Sequence, residues 1–355
     1  MKILTAEQIR HLDAKTIELG EMRPIDLMEA AGQSFVQWFE QVYSPDDGMV
    51  NIFVGPGNNG GDGLVIGRLL SKKFFEVNIW VCHLSEKFSQ DFKANQAMLP
   101  ANGELEIRNL KDGDKYPEFE EPGIIIDAIL GTGISRAIEG YWAGLLEHLN
   151  NDLSERVSVD IPTGMFPDSL GSEIIFKADC TFTFEIPKFS FLLPSNIPYV
   201  GKLVFGQIGL NNQVLYETPS DKYLLTQYQV AAILRERPET GHKGTFGHAL
   251  LVMGGYGKMG AAILAARACL RSGTGLVTTH IPKSGYPIMQ IAFPEAMVSV
   301  DRHEFNISEF PAVDKYAAIG IGCGIGVNSS TEKALSDFLL EYNSPVVLDL
   351  SLIHI

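Results

Sequence analysis

An α/β architecture in two successive units is what this sequence predicts, and three observations carry the prediction. Short apolar runs alternate with helical patterns along most of the chain, which is the rhythm of parallel strands joined by crossover helices. Glycine-rich turns follow several of those runs, where a strand of a parallel sheet hands over to its next helix. The pattern also stops at a polar stretch near Asn211 and then restarts, in a chain whose 355 residues are many for one core.

The elements follow in order. Thr5 and Gln8 have the spacing of a capping box, and Ile9, Leu12, Thr16 and Leu19 continue at helical intervals. A second helix begins near Pro24 and carries Leu27, Ala31, Phe35 and Trp38 on one face. Val50–Val54 reads as a strand, Leu64–Lys73 as a helix, Val77–Cys82 as a strand and Glu86–Leu99 as a helix. Ile124–Leu130 is an isoleucine-rich strand, Trp142–Leu149 a helix and Val157–Ile161 a strand. Two β-rich runs, Thr181–Ile186 and Lys202–Gln207, close the first unit. Asn211-Asn212-Gln213 and the following Glu217–Asp221 have the composition of a linker. Beyond it His248–Met253, Leu276–Ile281, Ala317–Ile321 and Pro345–Asp349 read as strands, and Gly260–Arg271 as an alanine-rich helix. This second unit ends on a strand without a covering helix, so it is expected to be incomplete, because a buried parallel strand needs both faces covered.

Charge narrows the function classes. Twenty-eight Lys and Arg against forty-three Asp and Glu leave a formal net charge of −15. Nucleic acid and anionic membrane surfaces are poor partners for such a chain, and an anionic ligand would need a local site built from backbone N–H groups. No apolar run is long enough to span a bilayer, and the start of the chain lacks the core of a secretory signal, so the chain is expected in the cytoplasm. Cys82, Cys180, Cys269 and Cys323 are too scattered for a zinc site or a disulfide frame and read as buried thiols in a reducing compartment. Association into a homo-oligomer is left open.

The glycine loops carry the chemistry. Gly55-Pro56-Gly57-Asn58-Asn59-Gly60-Gly61-Asp62-Gly63 lies between a strand and a helix and matches G-x-G-x-x-G. Its glycines permit close backbone approach, and the helix start offers free N–H groups to a phosphate. A dehydrogenase would next require an acid at the end of the second strand. That strand ends near Cys82-His83, and the nearby Glu76 precedes it, so the dehydrogenase fingerprint fails. Two more strand ends carry Asp127 with Gly131-Thr132-Gly133 and Asp160-Ile161-Pro162-Thr163-Gly164. Each aspartate alone is as readily a cap or turn residue. Together with Asn58, Asn59 and Asp62 they form one set of oxygens suited to a hard cation. Gly255–Gly260, Arg271–Gly275 and Gly320–Gly326 repeat the theme in the second unit but say little alone, and its alanines read as tight helix packing.

With Glu185-Ile186-Pro187-Lys188 added, the first unit resembles the NAD(P)H-hydrate epimerase family over residues 1–212. The second, through His242–His248, Gly254–Gly260 and Ser272–Thr278, is similar to the ADP- or ATP-dependent NAD(P)H-hydrate dehydratases, a ribokinase-like fold. The two in this order resemble the bifunctional family that repairs hydrated nicotinamide nucleotides. The resemblance implies a Rossmann-like three-layer domain at 1–212, a linker at 213–222, and the N-terminal part of a dehydratase domain at 223–355. It implies epimerisation of the R and S forms of NADH and NADPH hydrated at C6 of the nicotinamide ring, an isomerase activity, with dehydration of the S form, a lyase activity, in the second domain. Substrate contacts are implied for Asn58, Asn59, Gly60, Gly61, Asp62, Gly131, Thr132, Gly133, Ile134, Ser135, Arg136, Ala137, Tyr141 and Asp160, and for Gly260, Ala262 and Gly324 in the second unit. Potassium is implied at Asn59, Asp127 and Thr163, and ADP or ATP for a complete dehydratase. Thr163 stands where the family commonly has serine and keeps the hydroxyl. Inversion at C6 needs an acid or base near the ring. Asp160 is the first candidate, and Lys188 the second, as proton donor or phosphate partner.

The resemblance breaks near the end. After Val347-Leu348-Asp349 the family continues into Ala-Asp-Ala-Leu, whereas this chain reads Leu350-Ser351-Leu352-Ile353-His354-Ile355. The expectation is a truncated dehydratase, with residues 350–355 foreign to the family and dehydration lost. A ribokinase-like small-molecule kinase and a non-catalytic nucleotide-binding module are the alternative functions.

Overall fold

The computed structural model describes residues 1–100, 105–170, 173–234 and 236–354. It forms two compact units, Met1–Ile233 and Leu234–Ile355.

In the first unit the order is α1 (Ala6–Leu19), α2 (Pro24–Val42), β1 (Val50–Val54), α3 (Asn58–Ser71), β2 (Val77–Cys82), α4 (Gln90–Ala97), β3 (Glu106–Leu110) and β4 (Ile124–Ala128). Then come α5 (Gly140–Asn150), β5 (Glu155–Val159), β6 (Cys180–Phe184), α6 (Ile197–Val200), β7 (Lys202–Gly206), α7 (Asn212–Glu217) and α8 (Gln227–Ile233). The capping box exists: Thr5 Oγ1 accepts from Gln8 N at 3.2 Å, and Thr5 N donates to Gln8 Oε1 at 3.0 Å. Seven strands form one parallel sheet in the order β3-β2-β1-β4-β5-β6-β7. The winding reverses between β1 and β4, and in such sheets ligands gather at the carboxyl ends beside that reversal. Both faces are covered, as an all-parallel sheet requires. Phe35, Phe39, Leu64 and Ile66 pack on one face against Ile52 and Ile126, while Leu145 and Leu149 pack on the other against Phe53 and Ile125.

Helix α3 sits unusually close to the sheet. A Cβ at Gly63 would lie 2.6 Å from Val54 Cγ1 and 2.7 Å from Ala128 Cβ, and one at Gly67 would lie 2.9 Å from Ile79 Cδ1. These glycines, one turn apart on one face, remove the side chains that would hold the helix off the strands. The helix also begins at Asn58, earlier than the Leu64 its apolar pattern suggests, so Asn58–Asp62 form its first turn.

The second unit holds β8 (His248–Val252), α9 (Met259–Arg271), β9 (Leu276–Ile281), α10 (Tyr286–Ala292), β10 (Met297–Val300), β11 (Ala318–Ile321), α11 (Ser329–Glu341) and β12 (Val346–Leu348). Its sheet is parallel throughout in the order β10-β9-β8-β11-β12, with the reversal between β8 and β11. Val347 and Leu348 are exposed on β12, but Leu352 beyond it is buried in the same core as Leu250 and Ile321. Residues 350–354 thus turn back onto the unit as a 3-10 helix, and Ile355 lies outside the described residues.

The linker and the thiols also differ from the sequence reading. Residues 213–222, expected as a linker, contain most of α7 and belong to the first unit. Lys2 Nζ donates to the carbonyls of Leu215, Tyr216 and Thr218 at 3.0, 2.6 and 2.6 Å, and Ile3 N donates to Lys222 O at 3.0 Å. The N-terminus therefore ties this segment down. Of the four thiols expected to be buried, Cys82 and Cys180 are, while Cys269 and Cys323 are partly exposed.

Candidate functional site

Three loops meet at the carboxyl ends of β1, β4 and β5, and the backbone forces them to interlock. A Cβ at Gly60 would stand 1.8 Å from Gly55 O, and one at Gly55 would stand 1.9 Å from Ile129 O. Gly55 N donates to Ala128 O at 3.2 Å, joining the first loop to the end of β4. Only glycine allows this approach. The result is a cleft of about 740 Å³ with the start of α3 on its wall, a size suited to a small-molecule ligand. Here the unpaired N–H groups of a helix start are available to an anion.

Asn58, Asn59, Asp62, Gly131, Thr132, Gly133, Ile134 and Asp160 all line the cleft. Gly60 and Gly61 are buried in the first turn of α3. Ser135, Arg136 and Ala137 lie on the exposed continuation of the loop, and Tyr141 stands at the start of α5; none of these four lines the cleft. The Tyr141 hydroxyl is buried without a hydrogen-bond partner among the described residues, and burial raises its pKa to about 12.

Beneath the cleft lies Asp127, fully buried at the end of β4. Its Oδ1 accepts from Thr163 Oγ1 at 2.6 Å and Ile129 N at 3.2 Å. Its Oδ2 accepts from Thr163 N at 2.8 Å and Ser158 Oγ at 3.1 Å. Burial still raises its pKa to about 6 against those four bonds, and no basic side chain among the described residues pairs with it. Asn59 is 7% exposed, and its Nδ2 has no hydrogen-bond partner among the described residues. An amide side chain with an idle end can present its oxygen there instead, since heavy-atom positions alone do not distinguish the two. Amide, carboxylate and hydroxyl oxygens of Asn59, Asp127 and Thr163 therefore fit a hard cation. Among the described residues no group of three His, Cys, Asp or Glu forms a metal centre of the transition-metal kind.

Asp160 follows β5 with φ of +66°, a left-handed backbone uncommon outside glycine and best tolerated by Asp and Asn. Lys188, which as a sequence element is as readily a solvated surface residue, is 1% exposed. Its Nζ pairs with Asp160 Oδ1 and donates to Thr183 Oγ1 at 2.7 Å. It stands behind Asp160 and does not line the cleft, so it has no open path to a phosphate. The chain's own motifs did not reveal Arg10, Asp13, Lys87, Phe88 and Asp91, which also line the cleft. Asp13 on α1 carries a pKa raised to about 6, by burial first and then by Asp160, with Lys188 opposing. Asp62 is raised well above its usual value, again by burial and by the neighbouring acids Asp160, Asp13 and Asp91.

In the second unit two glycine loops cross at the reversal between β8 and β11. Gly254 N donates to Cys323 O at 2.8 Å, and a Cβ at Gly255 would stand 2.9 Å from Gly324 O. Gly324 has φ of +82° and lies against Lys258 O and Ala261. Gly260 is exposed with nothing within 4 Å of a Cβ, which leaves its face open to a ligand. Ala262 is fully buried under Gly254, so its side chain supports the loop and does not reach solvent. Among the described residues no helix is long and apolar enough to cross a membrane.

The chain is similar to known proteins along nearly its whole length. A family model described as the YjeF-related protein N-terminus matches residues 24–190, and one described as NAD(P)H-hydrate dehydratase matches residues 249–354. The second match runs through residues 350–354, which counts against reading them as foreign and against the expectation that dehydration is lost by truncation. Two proteins named bifunctional NAD(P)H-hydrate repair enzyme Nnr are each 30% identical. The one from Coxiella burnetii aligns over 96% of this chain and 68% of its own length, and the one from Archaeoglobus fulgidus over 98% and 71%. A yeast protein solved by crystallography superposes with a TM-score of 0.51 at 23% identity, over 64% of this chain and 98% of its own. That likeness extends to fold alone.

Proposed function

Since the chain belongs to the bifunctional NAD(P)H-hydrate repair enzymes, with an epimerase and a dehydratase domain, we propose that its two units divide the repair between them. The first interconverts the R and S hydrates of NADH and NADPH. The second removes water from the S form with ADP or ATP as co-substrate, in the crossing glycine loops beside Gly260 and Gly324. One observation carries the first assignment: a carboxylate held by a buried lysine stands in a cleft against a helix start. The hydrated ring is uncharged and suits the acidic end of that cleft, while the diphosphate suits the N–H groups of α3.

Asp160 is the group we assign to proton transfer at the C6 hydroxyl. Lys188 then acts through it, holding the carboxylate in place. Potassium is the cation we assign to Asn59, Asp127 and Thr163. Bound there, it would neutralise a buried carboxylate and tie the end of β4 and the loop after β5 to the first turn of α3. No bond is made or broken through it.

The test supplies mixed R and S NADH hydrate together with a separately active S-specific dehydratase, and follows the R form by chiral chromatography. R consumption that depends on this protein is expected. An R form lost no faster than in a protein-free blank, with the protein folded, would remove the epimerase reading and favour a non-catalytic binding module.

A further inference from the structure

We infer that Asp13, on α1, is a second catalytic acid–base group of the first cleft, exchanging protons with the C6 hydroxyl in partnership with Asp160. The inference rests on the epimerase reading and adds to it a residue that no motif marks.

Inversion at C6 sets the requirement. The hydroxyl must leave one face of the ring and return to the other, so one group has to give a proton while a different group takes one. In the first half of the step, protonated Asp13 gives its proton to the C6 hydroxyl. The C6–O bond breaks, water departs, and the lone pair of ring nitrogen N1 forms a C6=N1 iminium. In the second half, water adds to the opposite face, its surplus proton passes to Asp160, and N1 recovers its lone pair. One proton has moved from Asp13 to Asp160, and exchange with solvent resets the pair. The reverse reaction exchanges their roles.

The cleft has the parts for this. Asp13 and Asp160 line the same cavity from separate elements, a helix and the end of a strand. Asp160 is committed to Lys188, whereas Asp13 has neither hydrogen bond nor basic partner at bonding distance among the described residues. One carboxyl tied to a lysine and one untied can take different parts in the same proton exchange. The charged groups facing Asp13 are Asp62 from α3, Asp160 after β5, and Glu185 and Lys188 after β6. Asp160 and Glu185 against one buried lysine also favour the positive charge that the iminium carries. Burial and the Asp160 charge raise Asp13 to about 6, which keeps part of it protonated near neutral pH.

Asp13→Asn and Asp13→Glu are compared with the wild-type full chain in the R-consumption assay, with kcat and KM separated and melting followed in parallel. Asp13→Asn is expected to lower kcat roughly 10²- to 10⁴-fold while KM changes less than about threefold and melting is retained. Asp13→Glu is expected to recover about tenfold over Asp13→Asn, and the pH limb near 6 of the wild-type kcat profile to vanish in Asp13→Asn. Activity of Asp13→Asn within about threefold of wild type overturns the inference. So does a loss of kcat, KM and melting together that Asp13→Glu does not restore, because that pattern belongs to a structural residue. If the wild type itself fails to consume R hydrate, the epimerase reading falls and this inference falls with it.

Discussion

A carboxylate with no solvent contact and no basic side chain beside it is poorly compensated by hydrogen bonds alone, and among the described residues Asp127 is in that position. A potassium ion at Asn59, Asp127 and Thr163 would relieve the cost, so it should bind the folded chain and not the unfolded one. At a concentration one hundred times its dissociation constant, such a ligand stabilises by about 2.7 kcal/mol. Replacing choline by potassium is therefore expected to raise the melting temperature of the first unit by several degrees at constant ionic strength. Asp127→Asn is expected to lose that response, and an equal response in the variant would remove the cation from this site. Asp127, Asp160 and Thr163 were legible in the sequence because each follows an apolar strand and precedes a glycine turn. Asp13 was not, since in the pattern of α1 it reads as one polar residue among several on a solvated face. The burial of Lys188 was equally hidden, because it depends on Asp160 and Thr183, 28 and 5 residues away.

Helix α3 joins sequence to site, since its first turn is the wall of the cleft. Two of its neighbouring glycines make opposite predictions. Gly60→Ala would drive a Cβ into the backbone oxygen of Gly55, which cannot move without breaking the contact with β4. Gly57 has φ of −89° and nothing within 4 Å of its Cβ. Gly60→Ala is expected to cost about 3 kcal/mol or more in denaturant unfolding, and Gly57→Ala less than about 0.5 kcal/mol. Similar costs for the two would show that the loops do not interlock as described. The central strands were readable for a related reason: β1 and β4 are buried at every position and are apolar nearly throughout. At the edge, β3 exposes Glu106 and Arg108 and has no apolar run to read. The same holds for β10, whose four residues are only partly buried or exposed, and for α11, where Thr331 and Leu335 alone are buried. Edges and half-exposed helices take their form from neighbours, and local sequence carries little of that.

Over the whole molecule the division into two sheets was legible because the alternation of strand and helix restarts after a polar interval. Where the first unit ends was not, since α7 is held by Lys2, more than two hundred residues earlier. What two units in one chain accomplish can be separated by a single variant. With ADP or ATP supplied and no second enzyme added, the wild type is expected to consume both hydrates, because the first unit converts R into the S form that the second dehydrates. Asp160→Asn removes the lysine-paired carboxylate of the first cleft and leaves every residue of the second unit as it was. The variant is expected to consume the S form at the wild-type rate and then stop, with the R form decaying only as fast as the protein-free blank. Chiral chromatography over the time course reads both forms at once. An R form that disappears in Asp160→Asn as it does in the wild type would place epimerisation elsewhere than this cleft. An S form untouched by either protein would show that the second unit does not dehydrate, without bearing on the first.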